Sequence, residues 1–243
     1  MCRSVRSIGI RALIGIVAFA GAVSARESPS RKEAVAAMGA NIETVRKAMN
    51  SDPKEVQRTL IWHMADPAGD DPRVLALCSE LIEKSTSSAT VWYAARAIGG
   101  VVDAHIRHKT LDNERKRQIA AILRKTAGYD DHRVRMTAAR DLERLGGLYQ
   151  REALELYVSI LSSPRDAADQ TRRRRNRIDA IREILRLDGE KAAASIQKAT
   201  DDDDLIKFFE SEIPAGSSPV VQEENRSFLE HWKRVMVGGG KNK

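Results

Sequence analysis

Apolar residues in this chain recur three and four positions apart almost throughout, and that period restricts it to helices more than any other feature does. Val74, Leu77, Cys78, Leu81 and Ile82 show the pattern, all five falling on one face of a helix. The two-residue alternation of strands is nearly absent, and aromatic residues make up only 5% of the chain, so a sheet has little to build on. Start signals punctuate the stripes. Asp52-Pro53 and Asp71-Pro72 each set a side-chain acceptor before a proline at the first helical position, and Ser218-Pro219 does the same near the end. Gly99-Gly100, Gly146-Gly147 and Gly189 mark places where helices can stop.

These signals predict helices over Ile42–Asn50, Pro53–His63, Pro72–Lys84, Thr90–His105, Glu114–Lys125 and Arg133–Leu145. Further ones are predicted over Arg151–Leu161, Ala167–Leu187, Glu190–Thr200, Asp203–Glu212 and Pro219–Val237. The connections are short, which makes sequential helices antiparallel neighbours.

One segment repeats in outline. Asp130-Asp131-His132-Arg133-Val134-Arg135-Met136-Thr137-Ala138-Ala139-Arg140-Asp141-Leu142-Glu143-Arg144-Leu145-Gly146 resembles the second helix of a HEAT repeat of the bilin-lyase type, with His132 where that pattern has proline. The same apolar frame returns 44 residues earlier around Ala94-Ala95, Ile98 and Val101, and 42 residues later around Ala180-Ile181, Ile184 and Leu187. Both offsets fall within the period of about 40–47 residues of HEAT and armadillo repeats. Physically, central alanines let antiparallel helices approach closely while Leu142 and Leu145 fill the groove to the next repeat. The resemblance implies an all-α solenoid of antiparallel helix pairs over residues 42–213, in four or five pairs. It also gives Asp130, Asp131, Val134, Arg135, Ala138, Ala139, Leu142 and Leu145 structural roles, with Asp130 or Asp131 and Arg135 fixing the turn and the stacking. The alternative is an irregular multi-helix bundle.

The ends differ from the middle. Arg3, Arg6 and Arg11 precede the apolar run Ala12–Val23, which closes on Val23-Ser24-Ala25, the layout of a secretion signal cleaved after Ala25. The run is short of the roughly 20 residues a membrane span needs, so an uncleaved inner-membrane anchor is the weaker alternative. Residues 1–25 thus read as a signal peptide and 26–41 as a linker, in a secreted or bacterial periplasmic protein. Residues 214–243 read as a capping helix with the stripe Val221, Phe228, Leu229, Trp232, Val235 and Met236, followed by a flexible Gly/Lys tail. Cys2 precedes the apolar run, where a lipoprotein cysteine would follow it. Cleavage therefore leaves Cys78 alone, with no intramolecular disulfide and a core position on its stripe.

The formal charge is +7, of which three arginines leave with the signal. What remains is regional: Arg107 to Arg186 carries 20 Lys+Arg against 12 Asp+Glu. Arg172, Arg173, Arg174, Arg175 and Arg177 concentrate it, and four consecutive arginines cover every direction around a helix. The bland reading is a solvated face paired with Asp166, Asp169 and Asp179; the functional one is a patch for an acidic protein or anionic envelope surface, since arginine forks match carboxylate and phosphate. Nucleic acid is disfavoured by the signal and by the lack of interleaved aromatics.

Catalytic and metal signatures are sparse. His105 and His108 sit three apart but lack a third ligand at recognisable spacing. Asp201–Asp204 lacks the spaced oxygens of a calcium loop and reads as a helix cap. There is no G-x-S-x-G, H-E-x-x-H, C-x-x-C or glycine-rich phosphate loop. Trp62 and Trp92 are expected to pack between repeats. The sequence therefore predicts a binding scaffold with no cofactor, no metal and an unidentified protein partner. The alternatives are an electrostatic binder acting through Arg172–Arg177 and, more remotely, a HEAT-like DNA glycosylase.

Overall fold

Every regular element is helical among the residues that the computed structural model describes: 29–161, 170–188, 196, 203–212 and 218–238. The expected signal and the final tail lie outside them. So does most of the expected helix Glu190–Thr200, of which Ile196 is described as helical and buried. In chain order the elements are α1 Arg31–Ala36, α2 Met38–Ala48, α3 Pro53–Val56, a π-helical stretch Gln57–Ala65 and α4 Asp66–Ala68. There follow α5 Pro72–Lys84, α6 Ser88–Arg107, α7 Asn113–Ala127, α8 His132–Leu145, α9 Leu148–Leu161, α10 Gln170–Asp188, α11 Asp203–Glu212 and α12 Pro219–Gly238.

The caps explain most of these starts. The Asp52 carboxylate accepts from the Lys54 and Glu55 amides at 3.1 Å, and Asp71 accepts from the Arg73 amide at 3.0 Å, each with proline at the first helical position. Asp71-Pro72-Arg73-Val74 and Asp131-His132-Arg133-Val134 add a second device. The guanidinium two residues on grips the capping carboxylate, Arg73 at 3.0 and 2.7 Å and Arg133 at 3.1 and 2.6 Å.

Three expectations are corrected. The segment read as an N-terminal linker holds α1 and the start of α2, because Ser30 and Glu33 form a capping box and Ala34 and Met38 are buried. Gly99 and Gly100 do not end a helix; they lie inside the 20-residue α6, where lack of a side chain serves close packing. At Gly69 a Cβ would meet the Ala65 carbonyl oxygen at 2.6 Å and that of Gly100 at 2.9 Å, so backbone rests on backbone there. Trp62 is 41% exposed and does not fill the helix interface. It lies in the π stretch, where each hydrogen-bonded turn holds one residue more than an α turn, so a phase counted at 3.6 residues misplaces it. Pro67 accounts for the widening: its ring would crowd the carbonyl four residues back in a regular α-helix.

Helices pack in two rows. α6 lies against the π stretch, α5 and α8, and α8 lies in turn against α7, α9 and α10. Ala94, Ala138 and Ala180 are fully buried in α6, α8 and α10, giving this row its close contacts. The other row is α2, α5, α7 and α9, joined by Arg46–Glu80 at 2.8 Å, by Lys125–Glu83 and by Arg124–Glu152 at 2.7 Å. Cys78 is wholly buried in α5, and burial pushes its thiol up to about 12, so it is a core residue. Near the C-terminus Trp232 is buried and Phe228 meets Phe209 edge-on at 5.4 Å, docking α12 on α11, while Val221 stays exposed.

Candidate functional site

The exposed side of the row containing α6, α8 and α10 carries a ladder of polar clasps. Arg107 Nη2 donates to the Asp66 carbonyl across 41 residues at 3.4 Å, and Arg144 pairs with Asp103 at the same separation. Arg186 grips Glu143 across 43 residues, and Arg182 donates to Asn225 at 3.0 Å across another 43. Arg186 also holds Glu183 at 2.8 Å, and its hydrogen bond to Glu143 leads the effects that keep its guanidinium firmly charged. This face is arginine-rich; Arg144 and Arg186 are matched by carboxylates of the neighbouring helix, while Arg107 and Arg182 end on a backbone carbonyl and an amide oxygen.

Beneath the ladder lies one buried carboxyl. Asp141 is 4% exposed; its Oδ1 accepts from Arg144 at 3.0 Å and its Oδ2 has no hydrogen-bond partner among the described residues. Gly99 stands opposite, and a Cβ there would fall 3.1 and 3.2 Å from the two oxygens. Burial pushes the Asp141 carboxyl up to about 8, with Arg140 pulling against it. Arg144 divides its donors among Asp141, Asp103 and the Gly99 carbonyl, so its charge is shared. Tyr157 is also fully buried, its hydroxyl without a hydrogen-bond partner among the described residues, and burial, then Glu183 and Glu143, raises it.

The arginine cluster is only partly a surface patch. All five arginines fall in α10. The side chains of Arg172 and Arg173 lie outside the described part; Arg174 stacks over Phe208 at 5.2 Å, Arg175 is exposed and Arg177 is half-buried. Asp166 and Asp169, proposed as its partners, lie outside the described residues, and Asp179 approaches Arg182 at 4.0 Å.

The segment Asp130–Gly146 forms α8 and the turn after it. Val134, Ala138, Ala139, Leu142 and Leu145 are buried. Asp131 rather than Asp130 caps α8, and Arg133 grips it, while Arg135 is half-buried with Nη2 3.1 Å from His132 Nδ1. Arg133 also covers Trp92 at 5.1 Å, and Trp92 lies 4.9 Å from Tyr93.

His105 is buried with Nδ1 2.7 Å from Thr110 Oγ1, and burial leads the effects that lower its proton affinity; His108 is exposed. Among the described residues no three or more His, Cys, Asp or Glu side chains converge as metal ligands. Asp203 and Asp204 open α11, and Asp201 and Asp202 lie outside the described residues. No helix of the described residues is long and apolar enough to cross a membrane.

Sequence reasoning missed a concavity. Asn113, Lys116 and Arg117 of α7 and Gly146, Gly147, Leu148 and Tyr149 at the α8–α9 turn line a depression of about 420 Å³. Both glycines have positive φ, 72° and 59°, which lets the chain reverse tightly after α8. Leu148 is 86% exposed on the rim, and Arg124 covers Tyr149 at 5.9 Å. The available signal was an apolar residue placed directly after a glycine pair.

Compared with known protein families, curated proteins and solved structures, the chain matches none of them.

Proposed function

We propose that this chain is a HEAT-like α-solenoid scaffold, exported to the bacterial envelope, that holds a protein partner against the row of helices containing α6, α8 and α10. The observation that carries the reading is the ladder at separations of 41 and 43 residues, which falls within the period of about 40–47 residues of such repeats. Fully buried alanines at 94, 138 and 180 support the same period. Export rests on the arginines, apolar run and small-residue site before Arg26. A row of helices offers a broad face rather than an enclosed pocket, which favours binding over catalysis. Electrostatic binding through Arg172–Arg177 is the lesser reading, since Arg174 is already spent on Phe208.

Photo-crosslinkers placed at Arg96 and Arg182, exposed on this row, test it against ones at Ala76 and Ala121, exposed on the other. In envelope-expressing cells the first pair is expected to capture a discrete partner and the second pair is not. Capture at neither pair, or equally at both, overturns the assignment of the face.

A further inference from the structure

We infer that the depression between α7 and the α8–α9 turn receives an internal segment of a partner protein in which an acidic side chain stands next to an apolar one. The inference rests on the scaffold reading and places a contact that reading leaves open.

Charge is the first argument. From Arg107 to Lys125 the chain has seven Lys+Arg against two Asp+Glu, and Arg124 and Lys125 are paired with Glu152 and Glu83 of the neighbouring helices. Both acids are engaged: Asp112 caps α7 by accepting the Arg115 amide at 2.7 Å, and Glu114 pairs with Arg117 at 2.8 Å. Lys116 is half-buried in the wall of the depression and makes no ion pair among the described residues. An ammonium held in a concave wall with its neighbouring acids already committed favours a carboxylate from outside.

Shape and polarity supply the rest. At about 420 Å³ the depression admits a few side chains, near the low end of ligand sites. Apart from the chain neighbours, no described residue has an atom within 4 Å of where a Cβ on Gly146 or Gly147 would be, so the space beside the turn is open to an incoming chain. Leu148 projects 86% exposed at the rim, an apolar contact with no use inside the fold. Lys116 and Leu148 together define a two-part reader, one part for charge and one for an apolar neighbour. The surface is concave and offers one exposed leucine rather than an apolar stripe, which fits a peptide better than a lipid surface.

The test uses the whole chain and a short, terminally blocked, fluorescent peptide alternating leucine with aspartate. Saturable binding is expected, weakening about tenfold or more in Lys116→Gln and in Leu148→Ser, on replacing aspartate by asparagine, and on raising salt. Leu148→Ser alters an exposed position, so its effect is read on a folded protein. No saturable binding, equal binding of the asparagine peptide, or unchanged affinity in both variants overturns the inference. So does Lys116-dependent binding to phosphatidylglycerol vesicles without peptide binding, which would assign the site to a membrane. If the peptide fails while crosslinkers at Arg96 and Arg182 still capture a partner, this contact falls and the scaffold reading stands.

Discussion

The carboxyl group of Asp141 rests against the α-carbon of Gly99, so near that a methyl group there would sit 3.1 and 3.2 Å from its oxygens. The seam between α6 and α8 therefore closes around a buried acid, and it closes because position 99 has no side chain. A glycine inside a helix normally costs about 1 kcal/mol relative to alanine. Here a Cβ would force the buried Asp141 side chain to give by a few tenths of an ångström, and the balance of the two effects is open to measurement.

Gly99→Ala is accordingly expected to destabilise the protein by about 1–3 kcal/mol, as overpacking does, when measured by urea unfolding. In an Asp141→Ala background the oxygens are gone, and the same substitution becomes neutral or stabilising by up to about 1 kcal/mol. An equal loss in both backgrounds would place the cause elsewhere.

The same carboxyl sets a pH dependence. Its folded value, about 8, lies above its ordinary 3.8, so between these values the folded state keeps a proton that the unfolded state has released. Stability contributed by Asp141 is therefore present at low pH and falls as pH rises toward 8, by at most about 1.4 kcal/mol per pH unit. Asp141→Asn, which keeps an acceptor for Arg144, removes this slope. Unfolding midpoints between pH 3 and 9 should converge for the two proteins below about pH 3.8 and favour the variant increasingly as pH rises to about 8.

Arg174 offers a check on the arginine cluster. If its main partner is the Phe208 ring, Arg174→Gln costs about 0.5–1 kcal/mol and loosens α11 locally. Hydrogen exchange in Asp203–Glu212 should quicken about two- to fivefold while α5 is unaffected. No change in α11 would return Arg174 to the solvated patch.

The helical class was legible because its causes are local. Asp52-Pro53 and Asp71-Pro72 cap where they stand, and the stripe Val74 to Ile82 is buried as its spacing requires. The Ser30–Glu33 capping box was equally local and could have been read. Gly99 could not, because what distinguishes it from a helix stop is Asp141, 42 residues away in sequence. Trp62 failed for a different reason: the π register changes the counting rule itself. The depression was invisible because Lys116 and Leu148 gain meaning only when the turns bearing them come together.

The clasps of the ladder sit at the rim of each seam and the alanines at its floor, and this separation has a mechanical consequence. Arg144 and Asp103 are 34% and 55% exposed, within reach of dissolved ions, whereas Ala94 and Ala138 are sealed. Salt weakens the rim and leaves the floor untouched. Raising ionic strength is therefore expected to loosen the Arg144–Asp103 clasp while the buried alanines keep their packing.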